Sequence, residues 1–210
     1  EMLRSLVGSE MCIRDSFRPD YTCWHVISYN NDGTVESKQT FQGKDDDSSW
    51  ARGQAWAIYG YTACFRETND SIFLNFAKDI ADMIIDRVKT EDGIPYWDYD
   101  APVTKETPRD VSAASVTASA MIELSTMVPD GQKYLDYAEK ILKSLSSDAY
   151  LAKVGDNQGF ILMHSVGSLP NGSEIDTPLN YADYYYLEAL KRFMELKKLR
   201  VENGELRVIQ

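Results

Sequence analysis

The sequence predicts an all-α fold of stacked helical hairpins, and three observations carry that prediction. Five stretches have the apolar spacing or the composition of helices. The connections between them alternate between short and long, as they do when αα-hairpins stack in succession. The long connections, around Tyr96–Pro108 and Ala149–Pro178, carry the glycine, proline and aromatic residues of irregular chain. Stacking gathers these loops at one end of the helices, where a rigid scaffold can present a site. No period of about 33 or 34 residues recurs, which disfavours tetratricopeptide and ankyrin arrays.

Each element follows from local chemistry. Asn31-Asp32-Gly33 is a hairpin turn signal between the strand-like stretches Trp24–Tyr29 and Thr34–Phe41. The run Lys44-Asp45-Asp46-Asp47-Ser48-Ser49 supplies acidic and hydroxyl side chains suited to opening a helix, and a first helix is expected over Trp50–Glu67. Asp70 or Ser71 caps a second, which runs to about Val88 with Ile72, Phe76, Ile80, Met83 and Ile84 at helical spacing. Glu91-Asp92-Gly93-Ile94-Pro95 ends it. After the aromatic loop, Arg109-Asp110 leads into a third helix, about Ser112–Met127, rich in alanine and serine. Pro129-Asp130-Gly131 turns into a fourth, about Gln132–Ser146. Ala149–Pro178 is expected to be irregular, and a fifth helix covers about Tyr181–Leu196. Phe73, Phe76, Met121 and Tyr134 are expected in the core. From Lys197 the chain turns charged, and 201–210 is set apart as a loosely attached tail.

Composition narrows the function. The chain has 210 residues, 43% hydrophobic and 26% charged, enough for one core. Its net charge of −11, with no basic run, argues against a nucleic-acid partner. No apolar run approaches the roughly 20 residues of a membrane span. Cys12, Cys23 and Cys64 have neither metal nor CxxC spacing, and the only histidines are His25 and His164, so a disulfide framework and a histidine-rich metal site are disfavoured. Ser5–Ser16 lacks the apolar core of a signal peptide. Its EMCIRDS resembles a translated sequencing-library adapter, so residues 1–16 are expected to be foreign to the protein.

The stretch WARGQAW, Trp50–Trp56, poses the chemical question. Arg52 and Trp56 are four apart and share a helix face. A guanidinium can grip a carboxylate through two parallel hydrogen bonds, and an indole offers a flat apolar surface to a sugar ring. Periodicity alone leaves a second reading open, with Trp56 in the core and Arg52 paired to one of Asp45–Asp47.

The wider sequence resembles a known family. WARGQAWAIYGYT, preceded by QG and an acidic run, is similar to the signature of glycoside hydrolase family 88, the unsaturated glucuronyl hydrolases. FRPDYTCWHVISYN (Phe17–Asn30), GIPYWDYDAP (Gly93–Pro102), PRDVSAAS (Pro108–Ser115) and GSEIDTPLNYADYYYLEALKR (Gly172–Arg192) resemble family segments in family order. The resemblance spans about Phe17–Arg200, so 17–200 is expected to be one domain. Gln54-Ala55 after Arg-Gly favours this family over the related unsaturated rhamnogalacturonyl hydrolases.

The resemblance implies an (α/α)6 barrel, a ring of six helical hairpins with its active site at one end. Five helices would then make roughly the C-terminal half. The implied reaction removes a Δ4,5-unsaturated uronic acid from the non-reducing end of a lyase-generated oligosaccharide, with no metal and no cofactor. A carboxylic acid protonates C4 of the vinyl ether, water adds at C5, and the resulting hemiketal collapses. This differs from two-carboxylate glycoside hydrolysis but still needs one placed acid. By spacing from RGQAW, the family's catalytic aspartate lies upstream of Phe17. No catalytic residue is therefore assigned here, and this chain alone is expected to be inactive. Asp20, Asp45, Asp46, Asp47, Asp110 and Asp183 read as caps and scaffold.

What the resemblance implies for this chain is substrate binding. His25 matches the family's active-site histidine. Thr40 and Gln42 match a loop beside the bound sugar. Arg52 and Trp56 match the residues that meet the unsaturated uronate. Ser168 and Asn171 fall where some members touch the neighbouring sugar and its sulfate. The implied partner is a glycosaminoglycan-type unsaturated uronate oligosaccharide, together with the missing N-terminal half of the barrel. Bacterial cytoplasm or periplasm is the expected location. Two rival readings stay open: an unsaturated rhamnogalacturonyl hydrolase, and a non-catalytic helical module that binds acidic sugar.

Overall fold

The computed structural model describes residues 15–202. The segment expected to be foreign lies outside the described residues except for Asp15 and Ser16, and the tail lies outside them beyond Glu202.

Two strands precede the helices. β1 (Val26–Tyr29) and β2 (Val35–Gln39) pair antiparallel. Gly33 closes their turn at φ 84°, and Asp32 accepts hydrogen bonds from the Thr34 amide and hydroxyl. This is the turn chemistry that Asn-Asp-Gly supplies.

Five helices follow: α1 (Ala51–Thr68), α2 (Ser71–Arg87), α3 (Val111–Ser125), α4 (Gln132–Leu145) and α5 (Asn180–Glu202). Asp70 and Asp110 cap α2 and α3, each accepting the amide two residues on. Those acceptors satisfy donors that the first turn leaves unpaired. α3 lies between α1 and α5 and also packs on α4, while α2 packs on α1. The result is a layer of α1, α3 and α5 with α2 and α4 behind it.

Sequence explains the layering. α4 buries Tyr134, Leu135, Ala138, Ile141, Leu142 and Leu145, a single stripe facing its neighbour. α3 is buried almost all round, from Val111 to Leu124, with small residues such as Ala113, Ala114, Ser115 and Ala118 that admit three neighbouring helices. The shared core joins Ile58, Ile80, Ile84, Met121, Leu124, Tyr134 and Ile141, all essentially inaccessible. Met121, Tyr134 and Phe73 are buried as expected, and Phe76 packs on the core from a partly buried position.

Three expectations need correction. Ala149–Pro178 is not wholly irregular: β3 (Ser165–Ser168) and β4 (Ser173–Thr177) form an antiparallel hairpin within it. The charged segment from Lys197 is helical to Glu202 rather than a loose tail, and Lys197 pairs with Glu139 on α4 at 3.5 Å. The acidic and hydroxyl run before α1 does not cap it. Trp50 occupies the N-cap position with no side-chain cap, and the Ala51 amide donates to the Trp97 carbonyl.

Candidate functional site

The β1–β2 hairpin and both long loops converge on the N-terminus of α1. Trp50 bridges to Asp98 in the first long loop. The Gln42 amide donates from its Nε2 to the Gly167 carbonyl at 2.7 Å, and Asn171 Nδ2 donates to the Phe41 carbonyl at 3.2 Å. Two of the sequence-predicted residues thus stitch the second long loop to the loop after β2.

Arg52 is the centre of this junction. It is 3% exposed and pairs with Asp110, itself fully buried, at 3.0 Å. Its Nη1 also donates to Ser112 Oγ and the Val166 carbonyl, and its Nη2 to the Gly167 carbonyl. The partner is therefore Asp110, 58 residues away, and not one of Asp45–Asp47. The guanidinium also lies 4.6 Å from the Trp50 ring centre and 5.3 Å from that of Tyr181. A buried guanidinium needs this complete set of partners, because desolvation of an unpaired charge is costly.

Trp56 shares the face of Arg52. Arg52 meets Tyr181 at the start of α5, and Trp56 meets Tyr185 one turn later, with ring centres 5.1 Å apart edge to face. The i, i+4 pair on α1 thus faces an i, i+4 pair on α5. Arg52 is sealed, whereas Trp56 remains half-buried and offers part of its ring to solvent.

His25 stacks on Trp50, with ring centres 4.4 Å apart and planes 29° from parallel. Its Nδ1 receives the Phe41 and Gln42 amides at 3.1 and 3.3 Å and lies 3.1 Å from Thr40 Oγ1. Two backbone donors make Nδ1 an acceptor and assign the neutral ring's proton to Nε2. Burial, reinforced by the charge of Arg52, lowers the His25 pKa below its ordinary value. At neutral pH the ring is an uncharged Nε2–H donor.

The remaining predicted residues divide by role. Thr40 Oγ1 accepts the Gly43 amide as well as meeting His25, so it is spent on holding the loop. Gln42 uses its amide nitrogen on Gly167 and leaves its carbonyl oxygen as an acceptor. Asn171 Nδ2 donates to both Phe41 O and Ser168 Oγ, which leaves Asn171 Oδ1 to accept and the Ser168 hydroxyl to donate.

Sequence reasoning left out two residues that build this geometry. Gln54, fully buried in α1, accepts the Cys23 amide at 2.8 Å and donates to the Cys23 and Trp50 carbonyls, which fixes the segment that carries His25. Asp98, also fully buried, accepts from the Lys44 amide, Ser48 Oγ and the Asp100 amide, which fixes the entry to α1. Polar residues flanking Trp50 and Trp97 were the available signal. The aspartates read as scaffold include several that hold backbone: Asp20 accepts the Thr22 amide, Asp46 the Thr40 amide, and Asp183 the Ile161 and Leu162 amides. Asp183 therefore pins the second long loop onto α5.

Two clefts lie apart from these residues. One of about 700 Å³ runs between Trp97, Arg109, Tyr150 and His164. The other, about 620 Å³, lies along Arg87, Asp92, Tyr96 and Tyr99. Neither is lined by His25, Gln42, Arg52, Trp56, Ser168 or Asn171.

Known proteins resemble this chain in sequence and in fold. The sequence model of glycosyl hydrolase family 47 matches residues 52–194. An unsaturated glucuronyl hydrolase of Formosa agariphila is 47% identical over 88% of this chain and 46% of its own length. An unsaturated chondroitin disaccharide hydrolase of Streptococcus pyogenes is 32% identical over 84% of this chain and 45% of its own. The crystal structure of an unsaturated glucuronyl hydrolase specific for heparin superposes with a TM-score of 0.87 at 56% identity, covering 89% of this chain and 51% of that one. A Streptococcus agalactiae unsaturated glucuronyl hydrolase variant complexed with dGlcA-GalNAc6S superposes with a TM-score of 0.75 at 32% identity, over 85% of this chain and 48% of that one. The chain spans about half the length of these proteins, and its five helices form an arc of their (α/α)6 barrel. The chain thus belongs to the glycosyl hydrolases: family 47 is the model its helical core matches, and unsaturated glucuronyl hydrolases are the relatives that share its sequence.

Proposed function

We propose that the chain is the C-terminal part of an unsaturated glucuronyl hydrolase of glycoside hydrolase family 88, and that it carries the uronate-binding side of the active site. The observation that carries this reading is the gathering of His25, Gln42, Arg52, Trp56, Ser168 and Asn171 around one helix N-terminus, in a chain 47% identical to an enzyme of that name. The family 47 match begins at Arg52 and follows the helices, whereas His25 and Gln42 lie before it. Those earlier segments support the finer assignment.

In this reading Trp56 supplies a platform for the unsaturated ring, and the neutral His25 donates from Nε2. Arg52, sealed against Asp110 and the Val166 and Gly167 carbonyls, does not grip the uronate carboxylate as expected but holds the junction from behind the sugar. Gln42 Oε1, the Ser168 hydroxyl and Asn171 Oδ1 face the neighbouring sugar. The acid that protonates C4 comes from the half of the barrel that precedes this chain, as does the wall opposite Trp56. Water then adds at C5 and the hemiketal opens.

The test is the ultraviolet absorbance of the conjugated double bond in lyase-generated disaccharides. The full-length protein should consume that absorbance with glycosaminoglycan products, and this chain alone should leave it constant. Preference for pectin-derived products would favour the unsaturated rhamnogalacturonyl reading. Binding without any loss of absorbance by the full-length protein would favour a non-catalytic module.

A further inference from the structure

We infer that Glu188 is a positioning residue for the Trp56 ring, acting through the hydroxyl of Tyr59. The inference rests on the binding role proposed above for Trp56 and adds the group that fixes that ring's orientation.

Trp56 belongs to a cluster of three rings. Tyr59 lies three residues on along the same face of α1, and Tyr185 reaches both from α5. Trp56 and Tyr59 each meet Tyr185 edge to face with ring centres 5.1 Å apart, and Trp56 and Tyr59 stand perpendicular at 6.5 Å. All three rings are half-buried. They pack on a buried floor of Ala51, Ala55, Ala113 and Val116. Short aliphatic groups give contact without direction, so the floor leaves the tilt of the rings open.

A directional bond comes from Tyr59, whose hydroxyl donates to Glu188 Oε1 at 3.2 Å. Glu188 sits three residues after Tyr185, on the same face of α5. Its Oε2 receives the Ser119 hydroxyl from α3. One carboxylate on α5 thus holds a hydroxyl from each of the two neighbouring helices. Arg192, one turn further along α5, fixes the carboxylate in turn. It donates to the Ser119 carbonyl and hydroxyl at 2.9 and 3.0 Å, pairs with Glu123 at 2.9 Å and lies 3.7 Å from Glu188 Oε1. Arg66 on α1 meets Glu123 at 2.7 Å. Burial and the Glu188 charge push the Tyr59 phenol up to about 12, which keeps it a protonated donor at neutral pH. The three helices are already joined through Ile58, Met121, Ala182 and Ala189 in the apolar core. What the polar network adds is a fixed attitude for the rings above it.

The experiment uses the full-length protein, with KM and kcat on an unsaturated glycosaminoglycan disaccharide and fluorine NMR of protein labelled with 5-fluorotryptophan. Trp56→Phe identifies the Trp56 resonance. Tyr59→Phe, which removes one hydroxyl, and Glu188→Ala should each raise KM about threefold to tenfold and change kcat less than about twofold, as expected when a contact made equally in the ground and transition states is weakened. Both should shift the Trp56 resonance in the absence of substrate. Glu188→Gln keeps an oxygen for Tyr59 and should restore most of the affinity and the resonance position. Lower stability with KM and the resonance unmoved would leave Glu188 holding helices together and nothing more, and would overturn the inference. Should Glu188→Ala fail to fold, Tyr59→Phe decides by the same two readouts. A KM that responds to Trp56→Ala but to neither Tyr59→Phe nor Glu188→Ala overturns this inference alone. A KM unmoved by Trp56→Ala overturns the binding role of Trp56 on which it rests.

Discussion

Asp110→Asn isolates the charge at the centre of the site. The carboxylate does two jobs: Oδ2 meets Arg52 at 3.0 Å, and Oδ1 caps α3 by accepting the Ser112 amide at 3.1 Å. An asparagine keeps an oxygen for the cap and loses the charge. Arg52, 3% exposed, is then a buried cation without its counter-charge. Removing one member of a buried pair costs about 3–5 kcal/mol. The Val166 and Gly167 carbonyls still receive the guanidinium, which puts the expected loss at the lower end, about 3 kcal/mol. Asp110→Ala also removes the cap and should cost about 1 kcal/mol more. Combining Arg52→Met with Asp110→Asn should cost less than the sum of the two, with a coupling of about 1–3 kcal/mol. Urea denaturation followed by far-ultraviolet circular dichroism measures all three, and high salt should change the result little, because the pair is out of solvent. A loss below about 1 kcal/mol for Asp110→Asn would be the behaviour of a surface pair and would refute the reasoning.

Other predictions concern the loops and the histidine. Because burial lowers the His25 pKa, the unfolded chain binds more protons than the folded one below the ordinary histidine value of about 6.5. His25's contribution to stability should be complete above that pH and fade as pH falls through the folded value. Urea midpoints across pH 5–8 should show that slope and lose it in His25→Gln. Asp183→Ala leaves the Ile161 and Leu162 amides without their acceptor and should cost about 2 kcal/mol, with faster hydrogen exchange at those two amides. Unchanged exchange there would show that Asp183 does not pin the loop. Gly131→Ala drives a Cβ to 2.0 Å from the Ser125 carbonyl oxygen and should lower stability by about 3 kcal/mol, read by thermal melting.

The helices were legible because their information is local. Asp70 and Asp110 cap where a cap was expected, and α4 repeats its apolar stripe at helical spacing. The β3–β4 hairpin was not legible. Ser-Val-Gly-Ser and Ser-Glu-Ile-Asp-Thr carry little strand propensity, and β4 is almost wholly exposed, so no alternating apolar pattern marks it. The end of α5 was hidden for a similar reason. Its last turns are charged, and what holds them is pairing such as Lys197 to Glu139 and Lys198 to Glu202, not an apolar stripe. At the site, residue types were readable and partners were not. Arg52 invited pairing with the nearby acidic run, but its partners come from α3 and β3, contacts that only the folded chain brings together. The same holds for Gln54, whose service to the His25 segment spans 31 residues.

The most direct measurement is a crystal structure of the full-length protein with an unsaturated glycosaminoglycan disaccharide. The uronate ring should lie against Trp56, with His25 Nε2 at hydrogen-bonding distance and the second sugar beside Gln42, Ser168 and Asn171. A disaccharide seated instead in the cleft between Trp97, Tyr150 and His164, with Trp56 bare, would contradict the assignment of the site.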